Sequence, residues 1–524
     1  MADGRGGGAA GGWLSRERIV ASAGYNRWRI PPAALAIHLC IGMAYGFSVF
    51  WLPMTHLIVG APACGGGFLS EMTDRACNWT PPSLTPIFAT FIAVLGLSAA
   101  VFGGWVERVG PRRSGVIAAL CWGGGLLIAA LGVRLHLLWI VFLGAGLIGG
   151  VGQGLGYITP VSTLIRWFPD RRGMATGFAI MGYGGGALIG SPLAVWLMAR
   201  LAHGGAPGVA GAFASLGLIY AVFMLGGALG FRLPPQSPGA AQGAGDDHLP
   251  ANAAWRTPQF WLLWVVLFAN VTAGIALLAM ASPMLQEVFG ARLLGLSAAA
   301  SLTAAQKAAL AASAAGLVGL ISLFNSLGRL FWASVSDRLG RKATYAVFFI
   351  LGALLYAALP VLGHLGLAFA FVAAVCIILS MYGGGFSTLP AYIADVFGDR
   401  FVGAIHGRVI TAWSAAGVVG PALIAGLRQA QLDAGATKAR VYDGTLYLMA
   451  GLMILGLICN LFVRPLVGRS SSHVEPVAAD GPAGAAEGGA GSGLGLVGAL
   501  AWFAVAAPFL IGLFIAVQKA AKLF

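Results

Sequence analysis

Long apolar runs separated by short polar segments repeat along the entire chain. A helix that crosses a bilayer needs about 20 consecutive, mostly apolar residues. Thirteen runs reach this length, and the last is the uncharged stretch from Leu494 to Val517. The first twelve lie at residues 31–55, 84–106, 114–133, 137–160, 174–198, 212–231, 259–284, 312–335, 343–362, 366–390, 405–427 and 443–464. The pattern predicts an all-α, polytopic membrane protein.

Composition excludes the soluble alternatives. Of the 524 residues, 58% are apolar and only 9% are charged, whereas a soluble domain carries about 25% charged residues. So few charges cannot cover a chain of this length with a water-facing surface, which excludes a soluble enzyme, a nucleic-acid-binding domain and a disordered protein. We therefore assign the net charge of +14 to membrane loops, where Lys and Arg concentrate on the cytoplasmic side.

The distribution of Lys and Arg among the loops predicts the orientation. If the N-terminus is cytoplasmic, the segments on that side hold nineteen Lys and Arg residues and the opposite loops hold eight. Because cytoplasmic loops carry the excess of positive charge, we expect the N-terminus in the cytoplasm and the protein in the cell membrane. The loop from Arg428 to Arg440 is an exception, with three cations on the other side.

Two low-complexity stretches, rich in Gly and Ala with Pro or Ser, divide the chain. Such composition is typical of flexible linkers. We predict a cytoplasmic N-terminal segment (1–30), a six-helix bundle (31–231), a linker (232–258), a second six-helix bundle (259–465), a flexible linker (466–493) and an additional transmembrane helix with its tail (494–524).

An internal repeat relates the two bundles. The segment GWVERVGPRRS begins at Gly104, and SVSDRLGRKAT begins at Ser334. Equivalent positions are 230 residues apart, namely Glu107 and Asp337, Arg108 and Arg338, Gly110 and Gly340, and Arg112 and Lys342. Repeats of this kind place a substrate site between the two halves, near the middle of the bilayer.

The repeated loops contain a candidate gate. We assign eight residues to it, Glu107, Arg108, Gly110, Arg112, Asp337, Arg338, Gly340 and Arg341. Their acids can pair with neighbouring cations or cap the N-terminus of a helix. Contacts that form in one conformation and break in another make a two-state latch. The alternative is an ordinary positively charged loop, but its duplication at one spacing favours the latch.

These loops resemble the loop motif of the major facilitator superfamily. The stretch GQGLGYITPVSTLIRWFPDRRGMATGFAIMGYGGGALIGSP, from Gly152 to Pro192, is similar to its oxalate/formate antiporter branch. So are NSLGRLFWASVSDRLGRK, from Asn325, and HGRVITAWSAAGVVGP, from His406. The resemblance covers about residues 30–465. It implies a fold of two six-helix bundles and transport of small carboxylates.

Arg329 is a cation well inside the predicted helix at 312–335. Such a charge costs about 2.5–3.5 kcal/mol even on lenient scales. None of the 17 Asp and Glu residues lies in a helix core, and Asp337 is eight residues away, about 12 Å along a helix. We therefore predict that a substrate carboxylate, gripped bidentately, is the partner of Arg329. Backbone carbonyls, or extension of the side chain to the membrane surface, are the alternatives. The resemblance implies the same role, since Arg329 matches the substrate-binding arginine of the oxalate exchanger.

The resemblance also implies a second substrate cation, a lysine on the eleventh helix, and here this chain departs from it. Trp413 occupies that position. Arg408, five residues earlier, either supplies the second charge or belongs to the helix end and the latch. Two cations suit a dianion such as oxalate, whereas one suits a monocarboxylate.

Other polar groups at mid-helix depth are weaker candidates for substrate binding. They are Tyr45, Gln153, Tyr157, Asn325, Tyr382 and Trp413. Such groups need partners inside a membrane, either a small anion or a neighbouring helix. His38, the one ionisable group in the middle of the first helix, is a possible proton site or a neutral packing residue. His406, nearer a helix end, is a weaker candidate for the same role.

The chain contains no motif of a catalytic, metal or nucleotide-driven centre, so we expect no enzyme activity, cofactor or metal. Our first prediction is a secondary transporter that exchanges small organic anions by alternating access. The alternatives are a proton-coupled monocarboxylate symporter and a transport-inactive sensor or scaffold. The expected partners are a small carboxylate and the lipid bilayer, not nucleic acid. Cys64 and Cys77 share one loop, where a disulfide is possible. The oligomeric state stays open.

Overall fold

The computed structural model describes residues 12–235, 249–293, 303–437, 440–466 and 495–520, and over these residues the protein is built of helices. Thirteen long helices follow the predicted runs. They are α1 Arg27–Met54, α2 Pro81–Val109, α3 Pro111–Leu135, α4 Leu138–Trp167, α5 Arg172–Arg200, α6 Val209–Gly230, α7 Pro258–Leu293, α8 Ala304–Leu339, α9 Arg341–Leu365, α10 Ala368–Phe397, α11 Val402–Asp433, α12 Asp443–Phe462 and α13 Gly495–Ala520.

Twelve of the described helices have a stretch long and apolar enough to cross a membrane, α13 among them. Asn325 and Arg329 lie on α8. Several helices run past the predicted ends; α4, for example, continues from 160 to Trp167 and α10 from 390 to Phe397. These extensions carry the helices beyond the apolar core into the loops at the membrane surface.

The two halves, α1–α6 and α7–α12, meet along two seams. Along one seam α2 packs on α11, and along the other α5 packs on α8. Within each half the corresponding helices pair in the same way, α3 with α6 and α9 with α12. Close approach depends on small residues, as at Gly103, where an added Cβ would lie 2.8 Å from Cα of Ala404.

Three of the helices depart from regular α geometry. In α1 the backbone changes to a 3₁₀-helix over Gly42–Phe50, which contains Tyr45. In α4 a π-helical stretch covers Phe142–Ile148, and α11 is interrupted at Ile410 between Val402–Val409 and Thr411–Asp433. Such local changes are common at functional sites and hinges.

We call the end of the bundle where α1 begins the N-terminal face. The loops α2–α3, α4–α5, α8–α9 and α10–α11 lie there. The predicted linker 232–258 is not entirely flexible chain, because Ala251–Ala254 forms a short helix against this face, and the Leu249 N–H donates to the carbonyl of Phe397. The rest of that linker, 236–248, and 467–494 lie outside the described residues.

The loop between α1 and α2 on the opposite face is tied by a disulfide. Cys64 and Cys77 are bonded, and both are buried. Nearby, the buried carboxylate of Glu71 accepts hydrogen bonds from the backbone N–H and the hydroxyl of Thr80. These contacts fix the loop against the start of α2.

Candidate functional site

Arg329 lies in the interior of the protein between the two halves, and its side chain is 1% exposed. Its Nη1 donates to the carbonyl of Ile180 at 3.1 Å, Nη2 to the hydroxyl of Tyr45 at 3.3 Å and Nε to Oδ1 of Asn325 at 3.4 Å. Among the described residues these partners are all neutral, and no carboxylate pairs with the guanidinium. The alternative that we left open, backbone carbonyl partners, therefore accounts for one of the three contacts.

Aromatic rings surround the cation. The guanidinium carbon lies 5.4 Å from the ring centre of Phe386, 5.8 Å from that of Tyr45 and 5.9 Å from that of Tyr183. Ring faces at such distances attract a cation through their quadrupoles. The rings offset part of the cost of burying Arg329, but they supply no negative charge.

Two glycines make room for this side chain. A Cβ added to Gly184 of α5 would lie 2.8 Å from Nε of Arg329, and one on Gly383 of α10 would lie 3.0 Å from its Cγ. A side chain at position 184 would crowd the guanidinium, and one at position 383 would overlap the backbone carbonyl of Asn325, which neighbours it. The glycine runs in α5 and α10 thus have a specific role beside Arg329.

Trp413 of α11 forms another wall and is fully buried. Its ring centre lies 4.9 Å from that of Phe386, 5.4 Å from that of Tyr183 and 5.5 Å from that of Tyr157. The position where the resemblance implies a lysine therefore contributes an apolar surface. We call Arg329, Tyr45, Tyr157, Tyr183, Tyr382, Phe386 and Trp413 together the aromatic cage.

A contact between the halves closes the aromatic cage toward the opposite face. The hydroxyl of Tyr45 lies 3.2 Å from that of Tyr382. Arg329 is about three turns from the N-terminal face, whereas Tyr382 is about four. Tyr382 is buried, whereas Tyr45 is partly exposed.

His38 lies beside the aromatic cage with both ring nitrogens next to acceptors. Nδ1 is 2.5 Å from the carbonyl oxygen of Ala179, and Nε2 is 3.1 Å from that of Tyr157. A neutral imidazole can donate from only one nitrogen, so an imidazolium satisfies both contacts and a neutral ring only one. The ring also stacks on Tyr157, with centres 5.4 Å apart.

Several buried polar atoms around the cage have no hydrogen-bond partner in the described part of the chain. They are the hydroxyls of Tyr157 and Tyr183, Oε1 of Gln153 and both ring nitrogens of His406. An unpaired buried group costs about 1–3 kcal/mol, so these atoms are candidates to bind a ligand. Only the oxygen of the Gln153 side chain is unpaired, because its Nε2 donates to the carbonyl of Ile41 at 2.7 Å.

The sequence did not single out Tyr183 or Phe386 and gave His406 little weight. One signal was available for His406, because it lies seven residues before Trp413 and hence on the same face of a helix. In the structure both residues contact the ring of Tyr157, His406 at 5.8 Å between ring centres. Tyr183 lies within the glycine run at 182–190, which indicates close helix packing and not a binding residue.

Arg408 does not join the cage. Its guanidinium donates to the backbone carbonyl of Ala251 and to Oδ1 of Asn252, and it lies 6.0 Å from the ring of Trp255. These partners belong to the short helix on the N-terminal face. Of the two roles left open for Arg408, the structure favours the helix end over the second substrate charge.

The acids of the repeated loops cap helices of the other half. Asp337 of α8 accepts hydrogen bonds from the backbone N–H groups of Gly173 and Met174 at the start of α5, both at 2.9 Å. In the equivalent position, Glu107 of α2 accepts from the N–H of Ala404 near the start of α11 at 3.1 Å. We call these two caps the latch. Each crosses one seam, and together they join the halves at the N-terminal face.

Cations of the loops act in different ways. Arg341 pairs with Asp337 at 2.6 Å, whereas Arg108 and Arg338, which we expected among the meeting helix ends, are exposed. Arg112 is buried and donates to the carbonyls of Trp13 and Phe231. Gly110 and Gly340 have φ of 85° and 87°, a conformation that favours glycine.

Two further ion pairs lie at the N-terminal face. Arg172 of α5 pairs with Asp399 in the α10–α11 loop at 2.9 Å, which joins the two halves again. Within the first half, Asp170 pairs with Arg27 at 2.7 Å. Partial burial raises the pKa of Asp170, but the hydrogen bond and charge of Arg27 outweigh it and hold that pKa below its usual value.

Sequence comparison identifies relatives of this chain. The family model of the Major Facilitator Superfamily matches residues 34–421. The chain is 31% identical over 327 residues to the oxalate:formate antiporter of Oxalobacter formigenes, a match that covers 61% of this chain and 70% of that protein. It is 27% identical over 451 residues to apicoplast pyruvate carrier 1 of Toxoplasma gondii, with 71% of this chain and 78% of the carrier covered.

Comparison of folds agrees with these relatives. The solved structure of the proton:xylose symporter XylE superimposes with a TM-score of 0.61 at 15% identity and covers 84% of this chain and 96% of that one. At this identity the likeness concerns the fold alone. The chain, with its two repeated six-helix halves, is a multi-pass membrane transporter that belongs to the oxalate/formate antiporter family of the major facilitator superfamily.

Proposed function

We propose that the protein exchanges small carboxylates across the cell membrane and that Arg329 binds the carboxylate group. The observation that carries this proposal is the burial of Arg329 between the halves with only neutral partners among the described residues. An uncompensated guanidinium is costly in a low-dielectric interior, and a bound carboxylate removes that cost. The names of the two relatives, an oxalate:formate antiporter and a pyruvate carrier, agree with a carboxylate substrate.

The walls of the cage favour a small monocarboxylate over a dianion. Arg329 supplies one charge, Trp413 stands where the resemblance implies a lysine, and Arg408 is bound to the short helix at the N-terminal face. The apolar body of a short acid would contact Trp413 and Phe386. The unpaired hydroxyls of Tyr157 and Tyr183 would donate to a second oxygen function if the acid carries one.

Charge also explains why exchange is the simplest mode. When the cage is empty it holds an unpaired cation, and a bound monocarboxylate brings its net charge to zero. Rearranging the halves around a neutral pair costs less than rearranging them around a lone charge. In this scheme the loaded protein breaks the latch on one side or the Tyr45–Tyr382 contact on the other. By the Lys and Arg distribution, the N-terminal face is cytoplasmic.

Counterflow in proteoliposomes tests this function. Vesicles loaded with unlabelled oxalate, formate or pyruvate should take up the labelled acid from outside, whereas empty vesicles should take up little. An Arg329→Lys variant that inserts normally should show strongly reduced counterflow at the same concentration of acid, because lysine keeps the charge but loses the planar fork. Equal uptake into loaded and empty vesicles would contradict exchange.

A second candidate is proton-coupled symport of a monocarboxylate, and the contacts of His38 favour it. Both ring nitrogens face carbonyl oxygens, an arrangement that an imidazolium satisfies better than a neutral ring. In this mode an inward proton gradient should drive uptake of labelled pyruvate into empty vesicles. A third possibility, a sensor or scaffold without transport, would bind the acid but move none.

A further inference from the structure

The helix α13 lies along the α5–α8 seam and contacts both halves. It packs on α1 and α5 from one side and on α8 from the other. Near its start, Nε1 of Trp502 donates to the carbonyl of Trp28 at 3.0 Å. One turn later, Val505 is buried in a cluster with Leu35 and Ala36 of α1. The helix is therefore a built part of the bundle, packed against a seam that has to change during alternating access.

Phe509 fills a gap in this seam. At Gly185 of α5 there is no side chain, and an added Cβ would overlap the ring of Phe509. The same Cβ would lie 3.4 Å from Oγ of Ser326 in α8. That hydroxyl donates to the carbonyl of Met181 at 3.2 Å, so Gly185 has the ring of Phe509 on one side and a hydrogen bond between the halves on the other.

The same segment of α5 contacts Arg329 from inside. Its Gly184 lies against the guanidinium, with the position of an added Cβ 2.8 Å from Nε. One turn earlier, the Ile180 carbonyl accepts from Nη1. Residues 180–185 are thus held between the substrate-facing Arg329 and the outer Phe509. Because three of these six residues are glycines, the segment has little side-chain volume with which to hold its own position.

We propose that Phe509 is a positioning residue of the transport site, which makes α13 part of the carboxylate-binding machinery and not a detachable anchor. Its ring supports the glycine segment of α5, and that segment supports Arg329 through the Ile180 carbonyl and the Gly184 backbone. Loss of the ring therefore weakens carboxylate binding from a distance. The inference rests on the proposed role of Arg329.

A double-mutant cycle tests this coupling on the full-length protein. The variants are Phe509→Ala, Gly185→Ala and the two combined, with Phe503→Ala as the matched control, because Phe503 lies on the same helix and is 70% exposed. The readouts are the shift in unfolding temperature with added oxalate, formate or pyruvate, and KM and kcat for counterflow. If Phe509→Ala does not insert, Phe509→Leu, which keeps most of the volume, takes its place.

We expect each single variant to raise the apparent Kd and KM about tenfold, the size of an interaction between residues in contact. The value of kcat should change less. The double variant should recover most of the affinity, because the new methyl group at position 185 occupies the space that the ring leaves. Phe503→Ala should match the wild type.

Two results would overturn the inference. One is a Phe509→Ala variant that loses unfolding temperature without ligand but keeps its Kd, since this is the behaviour of a purely structural residue. The other is a double variant whose loss of binding free energy equals the sum of the losses of the two single variants. Both results leave the proposed function intact. If none of the three acids stabilises the wild type, the proposed function itself is contradicted.

Discussion

The hydroxyl of Tyr45 lies 3.2 Å from the hydroxyl of Tyr382, and these two tyrosines come from different halves of the protein. The same Tyr45 oxygen accepts a hydrogen bond from Nη2 of Arg329. Because that oxygen accepts from Arg329, its own proton is free to donate to Tyr382. Arg329, which we propose binds the substrate, is therefore linked directly to the contact between the halves.

Replacing Arg329 should strongly weaken carboxylate binding while the fold persists. For Arg329→Lys we expect affinity to fall by about 2 kcal/mol or more, roughly 30-fold, because a planar bidentate donor is replaced by a point charge. The measurement is the rise in unfolding temperature with added oxalate, formate or pyruvate. Arg408→Lys is the matched control and should keep the rise. Full retention of stabilisation by Arg329→Lys would remove Arg329 from the site.

Removing one hydroxyl of the tyrosine pair should separate closure from binding. Tyr382→Phe takes away the contact between the halves but not the acceptor of Arg329, so we expect a changed kcat with Kd kept within about threefold. Tyr45→Phe removes both contacts and should change both quantities. Tyr220→Phe is the control, because the hydroxyl of Tyr220 is buried without a partner among the described residues. Identical behaviour of Tyr45→Phe and Tyr220→Phe would contradict a role of the Tyr45–Tyr382 contact in closing the cage.

The latch should hold the N-terminal face closed. Asp337→Asn and Glu107→Gln each replace a charge-assisted helix cap by a neutral one, at a cost of about 1–2 kcal/mol. We expect the double variant to open this face. The measurement is the labelling rate of a cysteine introduced by Ser162→Cys, because Ser162 of α4 lies against Gly403 of α11.

A matched control for the latch is Asp433→Asn, whose carboxylate contacts Gln429 one turn away at the far end of α11. It should leave labelling unchanged. Equal labelling in the latch variants and the wild type, with insertion verified, would mean that these caps stabilise helix ends and do not gate.

The variant His38→Gln distinguishes exchange from proton symport. Glutamine does not titrate, but its amide has two N–H donors for the two carbonyls that His38 now faces. If exchange is the mode, counterflow should persist within a few-fold. If symport is the mode, uptake driven by a proton gradient should vanish while substrate binding remains. Gradient-driven uptake by His38→Gln would show that His38 does not carry the coupling proton.

Much of the fold could be predicted because its signals are one-dimensional. The length of apolar runs sets the number of helices, and a spacing of 230 residues between the loop motifs reveals the two halves. The unpaired charge of Arg329 was equally visible, since no Asp or Glu lies near it along the helix. The exposure of Arg338 was not visible, because the rotation of a helix about its axis decides which of two neighbouring arginines meets Asp337.

By itself the sequence determined that this is a membrane protein of thirteen helices with an internal repeat, a cation inside a helix and a resemblance to the oxalate/formate antiporter family. Hydropathy, charge and repetition are properties of the chain and survive without coordinates. Only the tertiary structure decided that Phe386 and Tyr183 enclose Arg329, that Arg408 binds elsewhere and that α13 lies on the α5–α8 seam. These are contacts between distant segments, and they depend on how helices rotate and pack against one another, which an apolar pattern does not encode.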